Sequence, residues 1–145
     1  MQYNERRLLI GFSILTTAIA LVIYMIIFKI EDGLELAKKY GYDYHPNIAA
    51  ERREAVWLLL PYAIMALDLL WQYEIIKTKR IKSINISSIM IASSVGILMH
   101  YMNNYQNSDP FANALGNVVN PILILVIYGI ARLCQRNIEL KRTDR

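Results

Sequence analysis

Asp68 has the clearest claim to chemistry, because it is the one acidic side chain within an otherwise apolar run, Ala55 to Tyr73. A charge near the middle of a bilayer costs ~2.5–3.5 kcal/mol on insertion scales, so such a carboxylate is expected to face the interior of a helix bundle. Trp57, Pro61, Ile64, Asp68 and Trp71 recur on one face at helical spacing. Pro61 has no N–H to give the Trp57 carbonyl, which leaves that oxygen for a side chain or water and predicts a kink. Matching depth by helix rise places Ser13 or Thr17, Ser87 or Ser88, and Tyr128 near the level of Asp68. Two chemistries fit: a proton- or cation-binding carboxylate, or a structural acid hydrogen-bonded to those hydroxyls. The structural role carries more weight, because polar side chains commonly hydrogen-bond across helices in membrane bundles.

Asn113, Asn117 and Asn120 recur at i, i+4 and i+7, lining one side of a helix just before Pro121, a second expected kink. His100 falls at a similar depth on the preceding apolar run. Together they form either a polar vestibule for a small ligand or a set of interhelical hydrogen bonds, and the second is favoured because such bonds are common in membrane bundles. Ser88, Ala92 and Gly96 follow small-xxx-small spacing, a face for close helix packing within the chain or against a second subunit, with packing within the chain the safer expectation. His45 and His100 have no cysteine or carboxylate at ligand spacing, so no metal or haem site is expected, and the lone Cys134 excludes an internal disulfide. Walker, HExxH, GxSxG and paired-carboxylate motifs are missing, and Asp68 and His100 are expected at different depths, so we expect neither an enzyme nor a cofactor.

The elements that must position these residues follow from composition. Of the 145 residues, 55% are apolar and 19% charged, and the mean hydropathy is positive, a balance that soluble domains rarely show. The expected fold is all-α: a polytopic membrane protein built as a single four-transmembrane-helix bundle with spans at about 8–28, 55–73, 84–102 and 112–133. The first span is the most secure, since Leu8 to Phe28 is 21 residues without a charge. It is too long for a cleaved signal peptide and is expected to remain as an anchor. Ser87, Ser88, Ser93 and Ser94 dilute the third span but can bond back to carbonyls one turn earlier. In the first loop, EDGLELAKKYG predicts a short amphipathic helix ended by Gly41, and Asn47 is placed to cap the helix leading into the second span.

Lys and Arg set the orientation. Arg6 and Arg7, the cluster Lys77, Lys79, Arg80 and Lys82, and the tail Arg132, Arg136, Lys141, Arg142 and Arg145 make eleven basic residues on one side, whereas NNYQNSDPF has none. The first loop mixes five basic with six acidic residues. Both termini are therefore expected in the cytoplasm, and the bias suits a bacterial inner membrane. The net charge of +4 comes from these clusters, so nucleic acid is not expected as a partner.

A small size, packing faces and no catalytic constellation favour a non-enzymatic protein-interaction partner, an accessory subunit or an immunity-type protein, meeting the lipid bilayer, another membrane protein or its own copies. In outline the chain resembles the immunity proteins of the A-type pore-forming colicins, which also have four spans, cytoplasmic ends and a long first external loop; the likeness is one of topology and carries no shared motif. The second reading is an oligomeric small-solute or ion transporter or channel using Asp68. The chain is similar to small multidrug transporters in size and span number, but those carry a glutamate in the first span where this chain has Thr16 and Thr17. A holin-like lesion former ranks third.

Overall fold

A backbone crossing lipid must satisfy its own N–H and C=O groups, and long apolar runs accordingly form helices. The computed structural model describes residues 3–43, 45–79, 85–103 and 109–143, without the side chains of residues 3, 4, 75–79 and 143. Four helices fill this range: α1 (Tyr3–Tyr40), α2 (Ile48–Lys79), α3 (Ile86–Tyr101) and α4 (Pro110–Thr143). No strand forms among the described residues. Arg80, Lys82, Ile84, Tyr44, Arg145 and most of NNYQNSDPF, which entered the expectations for loops and topology, lie outside the described residues.

α1, α2 and α4 are each long and apolar enough to cross a membrane. α3 is apolar but has only 16 residues, a rise of ~24 Å against a hydrocarbon core of about 30 Å. Where a span over 84–102 is expected, the structure thus has a shorter apolar helix that is not by length among those able to cross. α1 differs in the other direction. The amphipathic segment of the first loop is helical, but it continues α1 without a break, giving 38 residues and a rise of ~57 Å. No proline interrupts Ile30 to Tyr40, and the extension has something to pack on: Ala37 is buried, and Lys29 pairs with Glu54 of α2 at 3.3 Å. The helix then stops where expected. Gly41 takes a positive φ of 70°, and the amides of Gly41 and Tyr42 both donate to the Ala37 carbonyl, at 2.9 and 3.2 Å. The Asn47 side chain accepts from the Ala50 amide at 3.2 Å and caps α2.

α1 packs against α2 and α3, and α4 packs against the same two, so the helices run α1–α2–α4–α3 around the bundle. α2 and α3, consecutive in the chain, face each other across its diagonal. One end, the terminal end, carries the start of α1 and the finish of α4; the loop end carries the tip of α1, the finish of α3 and the start of α4. The middle is filled by Leu15 and Val22 of α1, Leu58, Tyr62, Met65 and Leu69 of α2, Ile89 and Ala92 of α3, and Ile124 and Tyr128 of α4. Large apolar side chains also cover the outside, among them Leu67, Met90, Leu123 and Ile130. That pattern suits lipid, where an exposed leucine loses nothing.

Ser88, Ala92 and Gly96 are all buried inside the bundle, so this face packs within the chain. A Cβ on Gly96 would lie 2.5 Å from the Tyr62 hydroxyl and 2.9 Å from Ile124 Cδ1. A side chain at this position requires both neighbours to shift. Pro61 and Pro121 sit within the continuous helices α2 and α4 and are fully buried, so neither ends its helix.

Candidate functional site

The hydrogen-bonded polar side chains that join the helices form two networks, one toward each end, with a largely apolar layer between them. Toward the terminal end, Asp68 Oδ2 accepts from Gln72 Nε2 at 2.7 Å, from Arg132 Nε at 3.1 Å, and from the Tyr128 hydroxyl. One turn of α2 separates Asp68 from Gln72, which places both on the same face, and α4 supplies Tyr128 and Arg132 by the same i, i+4 spacing. The result is a charge-compensated carboxylate with three donors on one oxygen. Both members of the ion pair keep about 30% exposure, 29% for Asp68 and 31% for Arg132. Gln72 Oε1 accepts from the Asn85 amide at 3.4 Å, and Ser88 Oγ donates to Gln135 Oε1 at 3.2 Å, so the network also ties the start of α3 to α2 and α4.

Of the partners expected for Asp68, Tyr128 is in place. Ser13 and Thr17 are not; their hydroxyls donate to carbonyls of their own helix, Ser13 to Leu9 at 2.8 Å and Thr17 to Ser13 at 2.7 Å. Ser87 is exposed, and Ser88 serves Gln135 instead. Arg132, which the sequence presents as a topology signal, is the unexpected partner. Its signal was available in the sequence: it lies one turn beyond Tyr128, and a long guanidinium stem can reach back to a carboxylate within the bundle.

Toward the loop end, Asn103 Nδ2 donates to the Asn117 side-chain oxygen at 2.6 Å and to the Asn113 main-chain carbonyl at 3.0 Å. Asn117 Nδ2 donates in turn to Glu54 Oε1, which also receives Lys29 Nζ at 3.3 Å. One chain of contacts thus joins α1, α2, α4 and the turn following α3. Asn103 can enter because position 116 lacks a side chain; a Cβ there would lie 2.0 Å from Asn103 Oδ1. Asn120 Nδ2 reaches the Met99 carbonyl at 3.5 Å, and Trp57 Nε1 donates to the Val118 carbonyl at 3.2 Å. The amides of Asn117 and Asn120 are turned into neighbouring helices and buried rather than opened to a vestibule, and Asn113 joins the set through its main-chain carbonyl. Asn103 and Glu54, which sequence reasoning left in loops, are the residues that complete this set.

His100 is separate from both networks. It is 1% exposed, and its two ring nitrogens have no hydrogen-bond partner among the described residues. The Tyr62 ring lies 6.4 Å away between centroids, and its hydroxyl, like Ser93 Oγ, is also buried without a partner. Asp68 and His100 are not brought together. Among the described residues no group of three His, Cys, Asp or Glu side chains could hold a metal ion, and Cys134 is exposed. No protein-family model, curated protein or solved structure matches this chain.

Proposed function

We propose that this chain is a small non-enzymatic integral membrane protein that works by contact with another membrane protein, as an accessory subunit or an immunity-type protein. The observation that carries this reading is the state of Asp68. Its Oδ2 is held by Arg132, Tyr128 and Gln72, so the oxygen that a transported cation would need is already engaged by three donors of the chain itself. Between the two networks the interior is packed with Tyr62, Met65, Leu69, Ile89 and Ile124, which favours a static bundle over a path. The surfaces left for recognition are the apolar exterior and the part of α1 that extends past the hydrocarbon core. By the distribution of its basic residues the chain belongs in a bacterial inner membrane with both termini in the cytoplasm.

Native mass spectrometry of the protein isolated from its own host membranes tests the proposal. A distinct protein retained at fixed stoichiometry is the expected result; a homo-oligomer without any partner overturns it. The second reading, transport by an oligomer, is favoured by the unpartnered Tyr62, His100 and Ser93 polar atoms inside the bundle, which water or a small polar solute would satisfy. That reading requires Asp68→Asn or His100→Ala to abolish uptake in reconstituted vesicles while leaving the helix content unchanged. The leading reading expects no uptake in the wild type.

A further inference from the structure

A groove of about 720 Å³ opens to the outside of the bundle between α1 and α3. Its lining includes Leu9, Ile10 and Ile14 on α1 and Ile97 on α3, with Ser93 and Ser94 of α3 one turn nearer the terminal end than Ile97. Exposed Arg6 stands at the terminal end of the bundle. Ser93 Oγ, on a residue only 2% exposed, borders this space without a hydrogen-bond partner among the described residues.

We infer that the groove holds one acyl chain of an anionic glycerophospholipid whose phosphate rests on Arg6. Two features select this occupant. The first is length: α1 rises ~18 Å from Arg6 to Ala18, where the groove ends, which is close to half of a ~30 Å hydrocarbon core and so to the depth of a single leaflet. A transmembrane helix from a partner would need a furrow through both leaflets. The second is charge. Next to exposed Arg6, the side chains of Arg7 and Arg142 line a neighbouring cleft at the same end, against a single acidic residue there, Glu139. A phosphodiester at this end finds a cationic surface, and the groove below it takes the chain attached to it. The lipid seals the α1–α3 seam on the terminal side, where α3 is the shortest helix of the bundle. This inference does not depend on which protein partner the chain has.

Delipidated full-length protein in detergent, titrated with dioleoylphosphatidylglycerol or with dioleoylphosphatidylcholine and read by native mass spectrometry, tests the site. One phosphatidylglycerol is expected to be retained in preference to phosphatidylcholine. Arg6→Gln is expected to cut that preference by about fivefold, the worth of one basic residue at a lipid surface, without abolishing lipid retention. Ser94→Phe, at an exposed position, fills the groove and is expected to abolish retention of either lipid at this site while circular dichroism shows an unchanged helix content. Equal retention of the two lipids, or full retention in Ser94→Phe, overturns the inference. So does competition by inorganic phosphate alone, which marks a headgroup-only site, or a protein from host membranes displaced by Ser94→Phe in place of a lipid.

Discussion

Arg132 Nε of α4 lies 3.1 Å from Asp68 Oδ2 of α2, and the pair closes one side of the bundle toward its terminal end. Both side chains are about one third exposed, so the contact is worth less than a fully buried ion pair, yet removing one partner still strands the other against an apolar exterior. Asp68→Asn and Arg132→Gln are each expected to cost about 1–3 kcal/mol. The double variant should cost less than the sum, with a coupling of ~1 kcal/mol or more. Unfolding in mixed micelles, followed by the fluorescence of Trp57 and Trp71, measures all four proteins. Strictly additive losses would show that the two charges do not meet.

The close approach of Gly96 to the Tyr62 hydroxyl gives a sharper test, because two neighbours compete for one small space. Gly96→Ala is expected to destabilise by about 1–3 kcal/mol, since its Cβ would sit within contact distance of both Tyr62 and Ile124. Tyr62→Phe removes a hydroxyl that has no partner among the described residues, so it should be neutral or stabilising. In the Tyr62→Phe background the cost of Gly96→Ala should fall by ~1 kcal/mol, the remainder being the Ile124 contact. A Tyr62→Phe variant that is itself strongly destabilised would mean that the hydroxyl is hydrogen-bonded, for example to a buried water.

How far these contacts could be read in advance depended on whether they are local. Gly41 and Asn47 were legible because a left-handed stop and a side-chain cap involve residues within one turn. Tyr128 was legible as a partner of Asp68 because depth along an apolar helix follows from counting residues. Helix neighbours were not, since nothing in the sequence says that α2 faces α3 across a diagonal. For that reason depth alone offers Ser13 and Thr17 to Asp68, and Arg132 reads only as a topology signal. The continuous α1 was missed for a related reason: a change from apolar to amphipathic composition marks where the environment changes, not where the hydrogen-bond ladder stops. Glu54 and Asn103 were hidden because a polar residue beside a loop reads as solvated until a buried amide such as Asn117 is placed against it.

Gly41 isolates a backbone effect from a packing effect. Its φ of 70° is costly for any residue with a Cβ, while a Cβ built there meets nothing within 4 Å. Gly41→Ala is therefore expected to cost about 1 kcal/mol through conformation alone, and Gly41→Asn less, because asparagine tolerates the left-handed region. Hydrogen exchange at the Gly41 and Tyr42 amides, both bonded to the Ala37 carbonyl, should speed up in the alanine variant. Unchanged protection there would indicate that α1 ends by some other means.

Asn117 should matter more than Asn120, although both are buried on the same side of α4. The Asn117 amide both donates to Glu54 and accepts from Asn103, so Asn117→Leu leaves a carboxylate on α2 and an amide after α3 without that partner. The expected loss is about 1–2 kcal/mol, at the upper end for interhelical hydrogen bonds in membranes. Asn120 makes a single 3.5 Å contact to the Met99 carbonyl, at the weak limit of hydrogen bonding, and Asn120→Leu should cost below ~0.6 kcal/mol. The location of the damage separates the two as well: Asn117→Leu should loosen the Lys29–Glu54 contact and expose the α1 extension to proteolysis, whereas Asn120→Leu should leave it protected. Equal losses for the two variants, or an α1 extension that stays resistant without Asn117, would place the anchor of the loop end elsewhere than in the Asn103–Asn117–Glu54 chain.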